Sequence, residues 1–278
     1  MVNIRRSNQM LLTLTTWIII TLSVLIVVLL IVNIRLSQAK TQTRSLCQWQ
    51  VVDLTQPLTS TIPIWSGDPR VEIQPWATIA NEGYFINRIA IGEHSGTHWA
   101  TPNTFIMGAT SAEQVPVEKL IAPAVVIDIQ HKALQDADYR LSVEDVQAWE
   151  TRNGEIPSGS IVILFTGWQD KWLDPKAFMN EDEQGVSHWP GFSVGAVEFL
   201  VSRRQIAGLG TDTHGVDPGN DHSYCASTTI YASDGIVLEC LGGLEKLPQI
   251  SATLVVGGLP IFGGSGSPAR VLAFLPPP

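Results

Sequence analysis

Apolar and polar residues follow one another along the chain in short blocks that predict interleaved strands and helices. Apolar runs at 124–129 and 161–165 are typical of buried strands, and 85–91 alternates apolar with polar or small residues, as a strand does. Residues 142–145 form a capping-box-like helix start, and 193–203 carry the broad apolar face of a second helix. Further strands are predicted at 51–54, 206–209, 236–238, 253–256 and 271–275. This interleaving predicts an α/β fold.

The N-terminal segment has a different pattern. From Met10 to Val32 no residue is charged and most are Leu, Ile or Val, and about 20 such residues span a bilayer core. We therefore interpret residues 1–35 as a signal anchor with one transmembrane helix, 36–48 as a linker and 49–278 as one α/β domain. A cleaved signal peptide is the alternative, because Ser37-Gln38-Ala39 forms a small-x-small cleavage site.

The location of the domain follows from this segment. Basic residues flank the apolar run on both sides, so counting positive charges does not decide its orientation. Because an N-terminal signal ahead of a large domain is usually an export signal, we expect a membrane protein with its domain outside the cytoplasm. If the signal is cleaved, the protein is secreted or periplasmic.

The charge of the chain excludes one class of partner. The 278 residues have a formal net charge of −9. The first 45 residues hold five basic residues and no acid, which leaves 12 basic and 26 acidic residues in the rest of the chain. An acidic domain without a basic stripe does not neutralise phosphates, so we exclude nucleic acid as a partner. Three cysteines are too few for a disulfide scaffold.

Two polar clusters that follow predicted strands could carry chemistry. His94 and His98 stand four residues apart, a spacing that could hold one metal if the backbone aims both rings the same way. Two loop histidines bonded to the backbone are the alternative. Asp212, His214 and Asp217 lie in one loop after a strand, where functional loops of α/β proteins gather. A loop capped by its own side chains would have the same composition.

Several sequence blocks occur in a recognisable order. They are Val51-Val-Asp-Leu-Thr-Gln-Pro-Leu58, Trp65-Ser-Gly-Asp-Pro69, Glu93-His-Ser-Gly-Thr-His98, Leu164-Phe-Thr-Gly-Trp168, Pro190-Gly-Phe-Ser193, Gly208-Leu-Gly-Thr-Asp-Thr213, Val216-Asp-Pro218, Ile236-Val-Leu-Glu239 and Gly264-Ser-Gly-Ser-Pro-Ala-Arg270. Together they resemble the cyclase family that includes bacterial kynurenine formamidases and isatin hydrolases. The resemblance covers residues 51–275. It implies a swivelling β/β/α domain that forms homo-oligomers and hydrolyses amide or lactam bonds of small molecules with one or two divalent metals.

The resemblance also implies a set of site residues, which this chain matches in part. The family motif, His-x-Gly-Thr-His-x-Asp-x-Pro-x-His, places His94 and His98 as metal ligands, and Glu239 matches a later carboxylate ligand. Three positions depart from the family pattern. They are Ala100 in place of the ligand Asp, Thr104 in place of the catalytic His, and Ser227 in place of the His expected twelve residues before the late carboxylate.

These departures leave two interpretations. In the first, the two histidines and Glu239 hold one divalent metal, zinc or manganese, and the protein is an arylformamidase-like hydrolase of a small-molecule substrate. His214 would replace a missing imidazole or act as the general base, and Asp212 and Asp217 would orient it or bind substrate. In the second, the protein is a catalytically impaired family member that binds a small molecule or a partner at the membrane.

Overall fold

The computed structural model describes residues 25–30 and 49–277. The chain divides into two units, residues 1–49 and residues 50–278. In the first unit, residues 25–30 are helical and exposed. The predicted signal anchor and linker otherwise lie outside the described residues and stay predictions. Within the described part of the chain, no helix has both the length and the apolar character needed to cross a bilayer.

Strands between residues 49 and 277 include every strand predicted from the apolar pattern. Numbered in chain order, they are β1 (Gln50–Asp53), β2 (Glu72–Ala77), β3 (Ile86–Ala90), β4 (His98–Ala100), β5 (Ile121–Asp128), β6 (Arg140–Leu141), β7 (Ile161–Phe165), β8 (Gly191–Phe192), β9 (Gly208–Thr211), β10 (Ile236–Glu239), β11 (Ala252–Gly258) and β12 (Gly266–Leu275). The pattern does not predict β2, β4, β6 or β8. Of these, β4 matters most, because it carries part of the motif that contains His98.

Both predicted helices are present, and their starts have the expected caps. The α-helices between residues 49 and 277 are α1 (Ile79–Glu82), α2 (Gln130–Gln135), α3 (Val143–Asn153), α4 (Pro175–Met179), α5 (Val194–Arg204) and α6 (Cys225–Ala232). The Ser142 side chain accepts from the Asp145 backbone N–H at 3.3 Å, and the Asp145 carboxylate accepts from the Ser142 N–H at 3.1 Å. Ser193 caps α5 through the Ala196 N–H. These caps explain why both helices begin where the sequence predicts.

The main sheet closes on itself through β4. Its order is β12-β11-β5-β7-β9-β10-β4, and β4 pairs with both β10 and β12, while β1 adds to the far end of β12. β5, β7, β9 and β10 run parallel to one another, and β4 is antiparallel to β10. In that antiparallel register, His98 lies directly opposite Glu239 and Ala100 lies opposite Val237. Closure of the sheet therefore brings together two residues that are 141 positions apart.

Both faces of the parallel strands are buried, which is why their sequences are continuous apolar runs. In β7, Ile161 and Ile163 join an apolar cluster on one face of the sheet, and Val162 and Leu164 join a second cluster on the other face, with α3, α5 and α6. Ala100 and Val237 belong to the second cluster. Because alternate residues of a strand share a face, His98 and Glu239 lie on this helix-covered side of the sheet.

Candidate active site

A histidine and a carboxylate, His98 and Glu239, form the centre of the site. His98 Nε2 lies 3.1 Å from Glu239 Oε2, with the His98 side chain fully buried and that of Glu239 13% exposed. The other ring nitrogen, Nδ1, is 2.9 Å from the Gly96 carbonyl oxygen, which only accepts, so Nδ1 carries a proton and donates it. Nε2 is buried. Although it is close to Glu239, the angles at this contact are not those of a hydrogen bond. The Nε2 atom of an imidazole and a carboxylate oxygen therefore face each other at the floor of the site.

His94 and His214 stand beside this pair. The His94 and His98 rings are 5.0 Å apart and nearly perpendicular, and the His214 ring lies 6.3 Å from that of His98. Nε2 of His94 is 2.9 Å from the Ser265 hydroxyl. The structure thus gathers around Glu239 all three of the histidines that the sequence analysis selected.

A cavity of about 280 Å³ opens over these groups. His94, His214 and Glu239 line it. Its other walls are aromatic and acidic side chains that the sequence analysis did not select, including Trp65, Trp189, Phe105, Tyr224, Tyr231 and Asp68. The sequence carried no signal for most of them, because an aromatic residue in a core and one on a cavity wall have the same local pattern. Of these six, Trp65 and Asp68 lie in one of the family-like blocks.

The aromatic residues form two walls. In the first wall, the rings of Trp65, Trp189 and His214 form a triangle with centroid distances of 6.0–6.3 Å. In the second wall, Phe105 stacks on Tyr224 at 5.0 Å with an interplanar angle of 22°. Two groups of flat rings around one cavity favour a flat, partly apolar ligand.

Burial and mutual charge set the protonation of the site. Burial, together with the neighbouring His98, lowers the pKa of His94 to about 4. Burial also lowers the pKa of His214. For His98, burial opposes protonation, but the Glu239 carboxylate outweighs it and raises the pKa above its ordinary value. Glu239 responds in the opposite direction, since the histidines overcome its burial and lower its pKa. His94 and His214 are therefore neutral at pH 7 beside a negative carboxylate.

The three departures from the family pattern are integrated into the packing. Ala100 is buried in the apolar cluster against the helices. The Thr104 hydroxyl lines the cavity but donates to the Thr101 carbonyl at 2.7 Å. Ser227, in α6, donates its hydroxyl proton to Asp217. None of the three side chains supplies an imidazole or carboxylate. Of the metal ligands in the family pattern, this chain therefore keeps His94, His98 and Glu239.

The two loop aspartates have other partners. Asp212 is fully buried and does not line the cavity; it accepts from the Thr166 N–H at 2.9 Å and from the Thr166 hydroxyl at 2.8 Å, and burial raises its pKa to about 6. Asp217 does line the cavity, but its carboxylate accepts from the Ala226 and Ser227 N–H groups of α6. Because other groups occupy both carboxylates, neither orients His214, and contact of Asp217 with substrate stays a prediction.

We tested whether these residues fit a divalent metal. Among the residues that the structure describes, no group of three His, Cys, Asp or Glu side chains is already arranged as a complete metal centre. The pair of His98 Nε2 and Glu239 Oε2 fits one nonetheless: two buried acceptors 3.1 Å apart need a proton or a cation between them. Two imidazoles and one carboxylate are also a known donor set of catalytic zinc.

Comparison with known proteins identifies the family. The profile of the Cyclase family matches residues 52–218. An isatin hydrolase from Roseibium aggregatum is 34% identical over 244 residues, which cover 82% of this chain and 92% of that protein. The chain belongs to the cyclase family. A kynurenine formamidase from Sphingopyxis alaskensis is 25% identical over 228 residues, covering 80% of this chain and 97% of that protein.

A solved structure of a relative has the same fold. The crystal structure of an isatin hydrolase bound to the product analogue thioisatinate superposes with a TM-score of 0.80 and 32% identity, covering 88% of this chain and 98% of that chain. The mixed α/β fold and the family predicted from the sequence blocks are thereby confirmed. The homologues are hydrolytic enzymes.

Proposed function

We propose that this chain is a metal-dependent hydrolase of an amide or lactam bond in a small aromatic substrate. The observation that carries the proposal is the buried pair of His98 Nε2 and Glu239 Oε2, 3.1 Å apart, below an aromatic cavity. Relatives named isatin hydrolase and kynurenine formamidase support hydrolysis of a carbonyl–nitrogen bond. The cavity, at about 280 Å³, has room for a substrate of one or two rings.

Each part of the site has a distinct task in this reaction. His94, His98 and Glu239 would hold the metal, which when bound polarises a carbonyl and lowers the pKa of a water molecule. His214, neutral because burial lowers its pKa, accepts the water proton at a ring nitrogen and returns it to the departing nitrogen. The Phe105–Tyr224 wall orients the substrate ring and excludes water from the reacting carbonyl.

Metal content and turnover of the purified full-length protein test the proposal together. We expect one zinc or manganese per chain by elemental mass spectrometry, with loss of the metal in His98→Ala and in Glu239→Gln. His131→Ala is the matched control, because that histidine is exposed and bonds only to Gln135 in the described structure. Hydrolysis of isatin and of an aromatic formamide, followed by absorbance, should disappear with the metal.

The outcomes separate the two interpretations of the sequence. A wild type that binds no added zinc or manganese and hydrolyses neither substrate contradicts the hydrolase. If such a protein still binds an aromatic ligand in the cavity, as measured by quenching of tryptophan fluorescence, the catalytically impaired binding protein is the better account.

We also propose, from the sequence, that residues 1–35 anchor the protein in a membrane with the domain outside the cytoplasm, and that the domain forms homo-oligomers. The uncharged run from Met10 to Val32 supports the anchor. Resistance to carbonate extraction and accessibility to protease from outside the cell would agree with it. A shortened mature chain beginning near residue 40 would instead indicate a cleaved signal. Sedimentation of the purified protein measures the oligomeric state.

A further inference from the structure

A chain of two hydrogen bonds links the His94 ring to Ser265 and then to Glu93. The ring Nε2 is 2.9 Å from the hydroxyl oxygen of Ser265, and that hydroxyl lies 2.7 Å from Glu93 Oε2. The Ser265 backbone N–H donates to the same carboxylate oxygen at 2.9 Å. Glu93 and His94 are neighbours in sequence, whereas Ser265 follows 171 residues later, just before β12. These hydrogen bonds therefore connect the segment that contains His94 and His98 to the glycine-rich loop at 263–266.

The position of each proton follows from the donors and acceptors. A carboxylate only accepts, so the single hydroxyl proton of Ser265 points to Glu93. The Ser265 oxygen is then an acceptor toward His94, and Nε2 of His94 must carry a proton and donate it. A neutral imidazole has one protonated nitrogen, so Nδ1 of His94 holds the free lone pair.

His98 has the opposite arrangement. Its Nδ1–H donates to the Gly96 carbonyl oxygen, which leaves the lone pair on Nε2, the atom that faces Glu239. The two histidines of one motif are therefore held as different tautomers by different neighbours. His94 depends on side chains, and His98 depends on the backbone alone.

We propose that Glu93 and Ser265 are positioning residues that hold His94 as the Nε2–H tautomer, so that Nδ1 is its metal-binding atom. This inference rests on the proposed metal-dependent function. Groups that fix the tautomer and the ring orientation of a metal-binding histidine strengthen metal binding by about 10–100-fold. The close packing of the loop supports the role: a Cβ atom on Gly264 would lie 2.8 Å from Glu93 Oε1, so this glycine lets the backbone approach the carboxylate.

The chain offers a matched control in the same loop. The Glu113 carboxylate accepts from the Gly263 N–H at 3.0 Å and so also ties the loop down, yet it bonds to no histidine. Glu113→Ala removes a loop contact of the same kind without touching the hydrogen-bond chain behind His94. Ser265→Ala and Glu93→Ala break that chain, and Ser265→Thr keeps the hydroxyl and should restore both the tautomer and the zinc affinity.

The experiment combines nitrogen-15 NMR of the histidine rings in the metal-free full-length protein with zinc titration against a chelator. We expect wild-type His94 to show a protonated Nε2 and an unprotonated Nδ1, and Ser265→Ala to show both tautomers. We expect zinc affinity to fall about 10–100-fold in Ser265→Ala and Glu93→Ala, and to stay within about twofold of the wild type in Glu113→Ala and Ser265→Thr.

Two results overturn the inference separately from the proposed function. If wild-type His94 carries its proton on Nδ1, or if Ser265→Ala binds zinc as tightly as the wild type, the positioning role is wrong although the protein binds metal. If the wild type binds no zinc, the proposed function fails, and the ligand role of Nδ1 fails with it. Circular dichroism of each variant separates these results from loss of folding.

Discussion

Removal of the Asp217 carboxylate should destabilise the domain rather than act on the substrate directly. Asp217 lies in the loop after β9, is only 6% exposed, and accepts hydrogen bonds from the Ala226 N–H at 2.7 Å and the Ser227 N–H at 3.2 Å. These are N–H groups of the first turn of α6, which have no partner within the helix. Asp217 therefore caps α6 from the loop that leads into it, and α6 contributes Ser227 and Tyr231 to the cavity.

The size of the effect follows from these contacts. Asp217→Ala leaves two buried N–H groups without a hydrogen-bond partner, at a cost of about 1–3 kcal/mol each. The gross loss in the free energy of unfolding is therefore about 4 kcal/mol. Burial of the carboxylate itself costs free energy, as its raised pKa indicates. We therefore expect a net loss of about 3 kcal/mol, which lowers the melting temperature of a domain of this size by about 6–12 °C.

Urea denaturation and thermal melting measure this loss, and Asp174→Ala is the control. Asp174 caps α4 through the Lys176 and Ala177 N–H groups, both at 3.1 Å, but that helix start is exposed to water. Its replacement should cost only about 1 kcal/mol. If Asp217→Ala melts like the wild type yet binds substrate far more weakly, the capping argument is refuted and the substrate-binding role predicted from the sequence is correct.

Three further predictions test the core and the cavity. Burial raises the pKa of Asp212 from 3.8 to about 6, so the contribution of this group to the free energy of unfolding should fall by up to about 3 kcal/mol as the pH rises through that interval. Urea titrations should show this fall as a difference in pH slope between the wild type and Asp212→Asn, and equal slopes would contradict it. Phe105→Ala removes one half of the stack with Tyr224 and should raise KM for an aromatic substrate about tenfold with little change in kcat; an unchanged KM would remove this wall from the binding site. A Cβ atom on Gly258 would lie 2.1 Å from Trp99 Nε1, so Gly258→Ala should cost about 2 kcal/mol in urea denaturation, and a wild-type midpoint would contradict that packing.

The elements of the fold were predictable wherever a local pattern was sufficient. Residues 124–127 of β5 and all of β7 are apolar because both faces of these strands are buried there. The starts of α3 and α5 carry serine caps that act within one turn of the chain. By contrast, β4 is three residues long, and its partners lie in β10 and β12, so no local period marks it.

The candidate site also has a part that the sequence predicts and a part that only the tertiary structure decides. The sequence alone selected His94, His98 and His214, because few residue types can bind a metal or move a proton and the chain has only six histidines. Resemblance to the family added Glu239. Only the tertiary structure decided which atoms face each other. Pairing of β4 with β10 put His98 opposite Glu239, and packing of the loop at 263–266 put Ser265 against His94. Such contacts join residues more than 140 positions apart, and a local pattern of residue types carries no record of distances that arise only when the sheet closes.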